Sequence, residues 1–217
     1  MSAPLSLILP TRDAARHLPA ALDSLLEGVW EGLVRELIVA DGGSTDDTFD
    51  IAEAAGAVWL AGPASRPERV AAAVAAARAP WLLFLEPEAR LAPGWTGAVK
   101  AALARPQSAH HFRLRFDTDA RGPALIARFA NWRGRTLGLP FPDQGLLVRG
   151  ALLGTADLSL DDLALTHALS GRHAQAEAEV ILPVAPYRAR GWVRQGARNL
   201  RHTARLLAAP RPVEARR

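Results

Sequence analysis

The sequence contains no cysteine. Disulfides, a thiolate metal site and a cysteine nucleophile are therefore excluded, and a cytoplasmic location is expected. No apolar run approaches the roughly 20 residues that cross a bilayer. The opening, MSAPLSLILPTRD, lacks the basic start and long apolar stretch of a secretory signal. There is no internal repeat and no low-complexity linker. Neither G-x-G-x-x-G nor a Gly-Lys-Ser/Thr phosphate loop occurs after a predicted strand, which argues against a dinucleotide fingerprint or a P-loop. The basic residues lack interleaved aromatics and no known nucleic-acid module is present, so no nucleic-acid partner is expected.

What remains is the composition of a folded protein. Of 217 residues, 49% are hydrophobic and 22% charged, enough for one sizeable core. Net charge is +4, carried almost entirely by arginine. The stretch YRARGWVRQGARNLRHTARLLAAPRPVEARR holds nine Arg against one Glu. It reads either as a surface for phosphates or anionic lipid or as a solvated arginine-rich end. Residues 209–217 read as a disordered tail.

Apolar runs alternate with helical periodicity along the first half. LSLILP, RELIVAD, AVWLAG and PWLLFLEPEARL read as four strands. AARHLPAALDSLLEGV, STDDTFDIAEAAGA, RPERVAAAVAAARA and GWTGAVKAALARP read as the helices after them, with Ser44 or Thr45 as N-cap of the second. Four β-α units predict a parallel sheet with right-handed crossovers. After Pro106 the rhythm changes. AHHFRLRFDTD reads as a strand with one wet face, GPALIARFANWRGRTLG as a helix, DQGLLVRGAL as a strand, LSLDDLALTHALSGR as a helix and AEVILPVAP as a last strand. The expectation is one α/β domain over 1–208, with a nucleotide-binding half at 1–105 and an acceptor half at 106–208 built onto the same sheet. His110 and His111 have no metal partner at i+3 or i+4, so surface or capping roles are expected.

Ligands of an open parallel sheet sit at the carboxyl ends of its strands, and acids stand there: Asp41 after the second strand, Glu86 and Glu88 after the fourth. An Asx-type turn with a capped helix accounts for Ser44, Thr45 and Asp46, but less well for Asp41. Asp41 is suited to accept hydrogen bonds from a nucleobase or ribose.

The segments LSLILPTRDAARHLPAALDSLL, ELIVADGGSTDDTFDIAEAAGA and LLFLEPEARLAPGW resemble the family 2 glycosyltransferases of the GT-A fold, and the later Asp-Gln-Gly resembles a compact bacterial subgroup. The resemblance implies a Rossmann-like, mixed but mostly parallel sheet flanked by helices. It implies transfer of a sugar from a nucleotide diphosphate donor, such as a UDP-sugar, to an acceptor hydroxyl. Pro10 and Thr11 would line the base pocket, Asp41 would contact base or ribose, and Arg66 would approach the diphosphate. Glu88, assisted by Glu86, would hold Mg²⁺ or Mn²⁺, since carboxylates are hard oxygen ligands. Asp143 and Gln144 would face the acceptor or the sugar, and Asp162 would take the acceptor's proton; Trp132, read on its own, is either a packing residue or an acceptor platform. The chain departs from the family where Glu-Pro-Glu replaces an aspartate-rich motif, where Ala71 and Ala73 replace Asn and Gly, where Asp161-Asp162 replaces Glu-Asp, and where paired arginines survive only as Arg188 and Arg190. Two alternatives follow: a nucleotide-binding relative without catalysis, and a nucleotidyltransferase, against which the glycine-free PTRDAARHLP argues. In GWVRQGARNLRHTARLL, Trp192, Leu200, Leu206 and Leu207 form a stripe beside arginines. Such a helix would rest on the inner face of a membrane and meet a lipid-linked acceptor.

Overall fold

The structure, a computed structural model, describes residues 2–62, 65–154, 158, 165–166, 169, 171–185, 199–201 and 203–204. Three β-α units and a fourth strand open the chain, where the sequence predicted four units: β1 (Leu5–Thr11) and α1 (Leu18–Trp30), β2 (Val34–Asp41) and α2 (Thr48–Ala54), β3 (Val58–Ala61) and α3 (Arg66–Ala76), then β4 (Trp81–Phe84). β1 lies between β2 and β4, and β3 adds outside β2, all parallel. The residues after β4 do not continue it. The chain turns at Glu-Pro-Glu, with Ala89 N–H donating to the Glu86 carbonyl at 2.9 Å, and Arg90–Leu91 form β5 on the far edge. Pro87 has no N–H to extend a ladder, so the single strand read in PWLLFLEPEARL divides in two.

α4 (Trp95–Leu103) leads to β6 (Ala109–Phe116), followed by α5 (Arg121–Trp132), β7 (Leu146–Arg149) and β8 (His173–Leu182). The eight strands form one sheet in the order β3-β2-β1-β4-β7-β6-β8-β5. β7 is antiparallel to β4 and β6, while β8 runs parallel to β6. The second half thus extends the sheet begun by the first. β6 is buried from Ala109 to Phe112 and alternates only at Arg113–Phe116. β8 begins five residues before the strand read in AEVILPVAP, through HAQAE, where alanine alternates with polar side chains. The helix read in LSLDDLALTHALSGR falls largely outside the described residues.

Strand periodicity explains the two cores. In β1, Leu5, Leu7 and Leu9 face a layer with Trp95 and Val99 of α4 and Leu18 and Leu25 of α1. Ile8 faces the opposite layer with Ile38, Val70 and Ala73 of α3, Leu82 and Phe84. At the amino end of the strands, the Ser6 hydroxyl and the Arg78 backbone N–H both donate to Glu36 Oε1 at 2.6 Å. This network fastens β1, β2 and the entry to β4, and leaves their carboxyl ends as the rim where loops are free to differ.

Candidate functional site at the carboxyl rim of the parallel strands

The register pairs Thr11 with Asp41 and Asp41 with Ala61, so three strand ends share one row. Asp41 is 3% exposed. Oδ1 accepts from the Thr11 hydroxyl at 2.9 Å and from the Ser44 hydroxyl. Oδ2 accepts from Gly43 N–H at 2.8 Å and Ser44 N–H at 2.7 Å. An ionised carboxylate offers about four acceptor positions, and here four donors use them. Burial alone raises the Asp41 carboxyl. The bonds from Ser44, Thr11 and Gly43 outweigh it and hold the pKa below the ordinary value, so the group stays charged. The Asx turn therefore accounts for Asp41 as well: its carboxylate builds the loop after β2.

That loop is also stitched to the loop after β1. Asp13 occupies a left-handed backbone conformation at φ 48. Its N–H donates to Ser44 Oγ at 2.8 Å, and its Oδ1 accepts from Thr45 N–H at 2.9 Å. Ala14 N–H donates to Thr48 Oγ1 and Ala15 N–H to Asp46 Oδ2. Ser44 and Thr45 are thus spent on Asp41 and Asp13 instead of capping a helix. α2 starts at Thr48, with Asp47 preceding it and no side-chain cap. Pro10 and Thr11 are buried beneath this double loop.

The cations come from α3. Arg66, its first residue, pairs with the Glu86 carboxylate. One turn on, Arg69 is 5% exposed and lies flat on Gly42, where a Cβ would come within 2.3 Å of its Nη1. Burial, and then Arg66, lower its pKa; Asp41 and Glu86 oppose them, and Arg12 lowers it further. Arg12, Arg66, Arg69, Asp41 and Glu86 therefore act on one another at one rim, next to the positive end of α3. The sequence reading missed Arg69. Its signal was the i+3 spacing from Arg66, which puts both on one helix face. Ala71 and Ala73 pack into the core beneath them.

Glu88 is half-buried, two residues beyond Glu86. Among the described residues no three His, Cys, Asp or Glu side chains gather to cage a metal ion. The donor set does fit a divalent cation that arrives with a diphosphate. Such an ion takes one or two protein carboxylates and completes its shell with phosphate oxygens and water. Glu86 must then exchange Arg66 for the cation.

The Asp-Gln-Gly segment meets the same rim. Gly145 has φ 61, and a Cβ there would sit 2.9 Å from the Leu85 side chain and 3.3 Å from the Phe84 carbonyl. Only glycine lets the turn press against the end of β4. Gln144 is fully buried and does not open toward an acceptor: its Oε1 accepts from Arg133 Nη2 at 3.2 Å and from Phe141 N–H at 3.4 Å. Arg133, also fully buried, stacks on the Phe141 ring at 3.4 Å from its centroid. Burial lowers the Arg133 pKa to about 10, with Asp143 opposing. Behind them lie His110 and His111, at 3% and 0% exposure, contrary to the expected surface roles, because β6 runs inside the sheet between β7 and β8. Burial first, and then His173, His110 and Arg133, lower His111 to about 3. Burial lowers His173 to about 4, against a raising hydrogen bond with the Thr166 carbonyl. Both are neutral at pH 7.

A narrow cleft joins these parts. Arg66, Phe84, Phe141, Pro142, Gly145 and Thr166 line it, and Thr166 Oγ1 donates to the Pro140 carbonyl at 2.8 Å. Thr166 lies four residues beyond Asp162. Asp161, Asp162, Arg188, Arg190 and Trp192 themselves lie outside the described residues, as do Leu206 and Leu207; Leu200 is exposed. Trp132 is not brought to the rim. It is 45% exposed, tilted against Phe129 at 5.7 Å, and lines a separate cleft with Arg113, Arg128 and Arg135.

Comparison with known proteins gives this arrangement its context. The chain is 49% identical over 53 residues to a PGL/p-HBAD biosynthesis glycosyltransferase of Mycobacterium tuberculosis, a match covering 24% of this chain and 20% of that protein; the chain spans a fifth of the curated relatives it matches. Its fold is similar to that of S. aureus TarS, with a TM-score of 0.64 at 18% identity, covering 94% of this chain and 42% of that one. It is also similar to M. tuberculosis glucosyl-3-phosphoglycerate synthase in complex with Mn²⁺ and UDP-glucose, with a TM-score of 0.55 at 22% identity, covering 83% and 70%. These likenesses establish a GT-A-type α/β fold. Residues 6–136, more than half of the chain, match the profile of Glycosyl transferase family 2, and the chain belongs to that family.

Proposed function

We propose that this chain transfers a sugar from a nucleoside diphosphate donor to an acceptor hydroxyl. The observation that carries the reading is the meeting of Asp41, Arg66, Arg69 and Glu86 at the carboxyl ends of parallel strands, in a member of this family. The loop organised by Asp41, above Pro10 and Thr11, receives the base and ribose. Arg66, Arg69 and the positive end of α3 hold the diphosphate, whose charge grows as the sugar–phosphate bond breaks. Glu88, with Glu86, would hold a divalent cation, which supplies Lewis-acid neutralisation of the leaving diphosphate. A protein of similar fold has been solved in complex with Mn²⁺ and UDP-glucose, which supports a divalent cation in this reading. Asp143, beside the rim, orients the acceptor. Asp162 takes the hydroxyl proton as the acceptor oxygen bonds to the sugar carbon. We also place the chain in the compact subgroup with Asp-Gln-Gly, in the cytoplasm, with a lipid-linked acceptor presented near its basic C-terminal segment.

A second reading is favoured by one contact. Glu86 is already held by Arg66, so the same rim would serve a relative that binds donors without transferring them. A thermal-shift panel of nucleotide sugars, with and without Mn²⁺, together with donor hydrolysis, separates the two. A ligand at about 100 times its Kd adds roughly 2.7 kcal/mol of stability. A shift with hydrolysis supports transfer; a shift without it on any acceptor supports binding alone. No shift with any nucleotide sugar rejects both.

A further inference from the structure

We propose that the outer face of α5 is a docking surface for an anionic lipid bilayer. The inner face of the helix, through Pro123, Ala127 and Ala130, is buried, and Asn131 clamps the helix to β6 by bonding the Leu114 N–H at 2.8 Å and carbonyl at 3.0 Å. The outward stripe is different in kind. Arg121, Leu125, Arg128 and Trp132 recur at spacings of four and three, so they share one face of the helix, alternating cation and apolar group; Arg135, in the π-helical turn Arg133–Leu137 that follows, lines the same cleft as Leu125, Arg128 and Trp132. All five are exposed, Leu125 at 67% and Trp132 at 45%, and Leu137, at the end of the turn after the helix, is 37% exposed. No carboxylate among the described residues pairs with Arg121, Arg128 or Arg135. Arg113 and Arg115 on the adjoining β6 share one acid, Glu179, at 2.7 and 3.0 Å, so the face keeps a positive excess. An open cleft of about 630 Å³ runs beside it.

Charge complementarity and the interleaved side chains select the occupant. A helix of 12 residues is about 18 Å long and lies in an interface plane, with arginines at the headgroups and Leu125 and Trp132 among the acyl chains. A phosphate backbone would use the arginines but leave Leu125 and Leu137 without a role. The helix is already folded against the sheet, so docking orders no new secondary structure. This surface is separate from the rim and stands independently of the transfer reading.

The test is sedimentation of the full-length chain with phosphatidylcholine vesicles, with and without phosphatidylglycerol. Each arginine near an anionic surface is worth about fivefold in partition. Wild type is expected to prefer anionic vesicles about a hundredfold at low salt, and the triple variant Arg121→Glu, Arg128→Glu, Arg135→Glu to lose at least that preference with an unchanged melting temperature. Should the triple variant fail to fold, Arg128→Gln alone reads the same effect at about fivefold. Leu125→Ser is expected to lower, several-fold, the binding that survives high salt, where charge is screened. Equal binding to neutral and anionic vesicles overturns the proposal. So does wild-type binding by the charge-reversed variant, which hands the role to the C-terminal arginines. Unchanged high-salt binding by Leu125→Ser overturns insertion. A single-stranded oligonucleotide that displaces the vesicles and is itself lost by the triple variant makes the face a nucleic-acid site.

Discussion

Asp41→Asn isolates what one carboxylate does at the rim. The substitution keeps the size of the side chain, and its oxygen can still accept from Thr11 and Ser44. The amide nitrogen then faces Gly43 N–H and Ser44 N–H, which now bond Oδ2 at 2.8 and 2.7 Å. Two charge-assisted bonds become donor-to-donor contacts. Each such bond is worth about 1.5–3 kcal/mol. Because the turn is open enough for water to reach freed amides, the lower bound governs, and a loss of about 3 kcal/mol is expected. That is a large share of a total stability of about 5–15 kcal/mol. Urea denaturation should show the loss in the midpoint, and hydrogen exchange should show amide protection falling first at Gly43, Ser44 and Thr45. The wild-type contribution also depends on pH. The folded pKa lies below the ordinary value of 3.8, so this stability is fully present above that value and is lost as pH falls through the lower folded pKa. Nucleotide affinity should fall together with loop protection. If stability and protection stay within about 0.5 kcal/mol of wild type while nucleotide binding collapses, the carboxylate acts on the ligand directly and the organising argument is refuted.

Three further outcomes are expected. Calorimetry with UDP should show Mn²⁺ tightening binding at least about tenfold, a gain of about 1.4 kcal/mol, and Glu88→Gln should remove that gain while leaving metal-free affinity intact; equal affinity with Mn²⁺ and with chelator would transfer the role to Arg66 and Arg69. Asp162→Asn should keep donor affinity and lose turnover by about 10²–10⁴, measured first as donor hydrolysis, with Asp161→Asn doing less; undiminished turnover moves the base to Asp143. His111 and His173, lowered to about 3 and about 4, are uncharged in the fold but bind protons in the unfolded chain below 6.5, so stability should rise with pH between about 4 and 6.5, and His111→Gln should flatten that limb of a urea-midpoint profile.

The sequence made the β-α rhythm legible because buried parallel strands are near-continuous apolar runs, as in LSLILP and RELIVAD. It also put Asp41 and Glu86 at strand ends, since each is the first charge after an apolar run. What it could not show depends on partners distant along the chain. The bonds of Asp41 need Thr11, 30 positions away, and the double loop needs Asp13 in a left-handed conformation that no local pattern announces. Arg69 drew no reading because its burial depends on Gly42 across the rim. His111 read as a surface or capping residue and Gln144 as a site residue; only the placing of β6 inside the sheet turns them, with Arg133, into a buried polar cluster. In β8, alternating alanine gave too weak an apolar signal to mark the strand's first half.

The ion pair between Arg66 and Glu86 makes the resting rim supply its own counterion. On the proposed reading, an entering diphosphate is then a competitor: it must take Arg66 from a carboxylate that is already in place. This exchange disfavours weakly charged ligands, because a neutral sugar cannot draw the guanidinium away. It also acts at the end of a cycle. On the proposed reading, when the nucleotide loosens, Glu86 is there to reclaim Arg66, so the guanidinium is not left without a counterion.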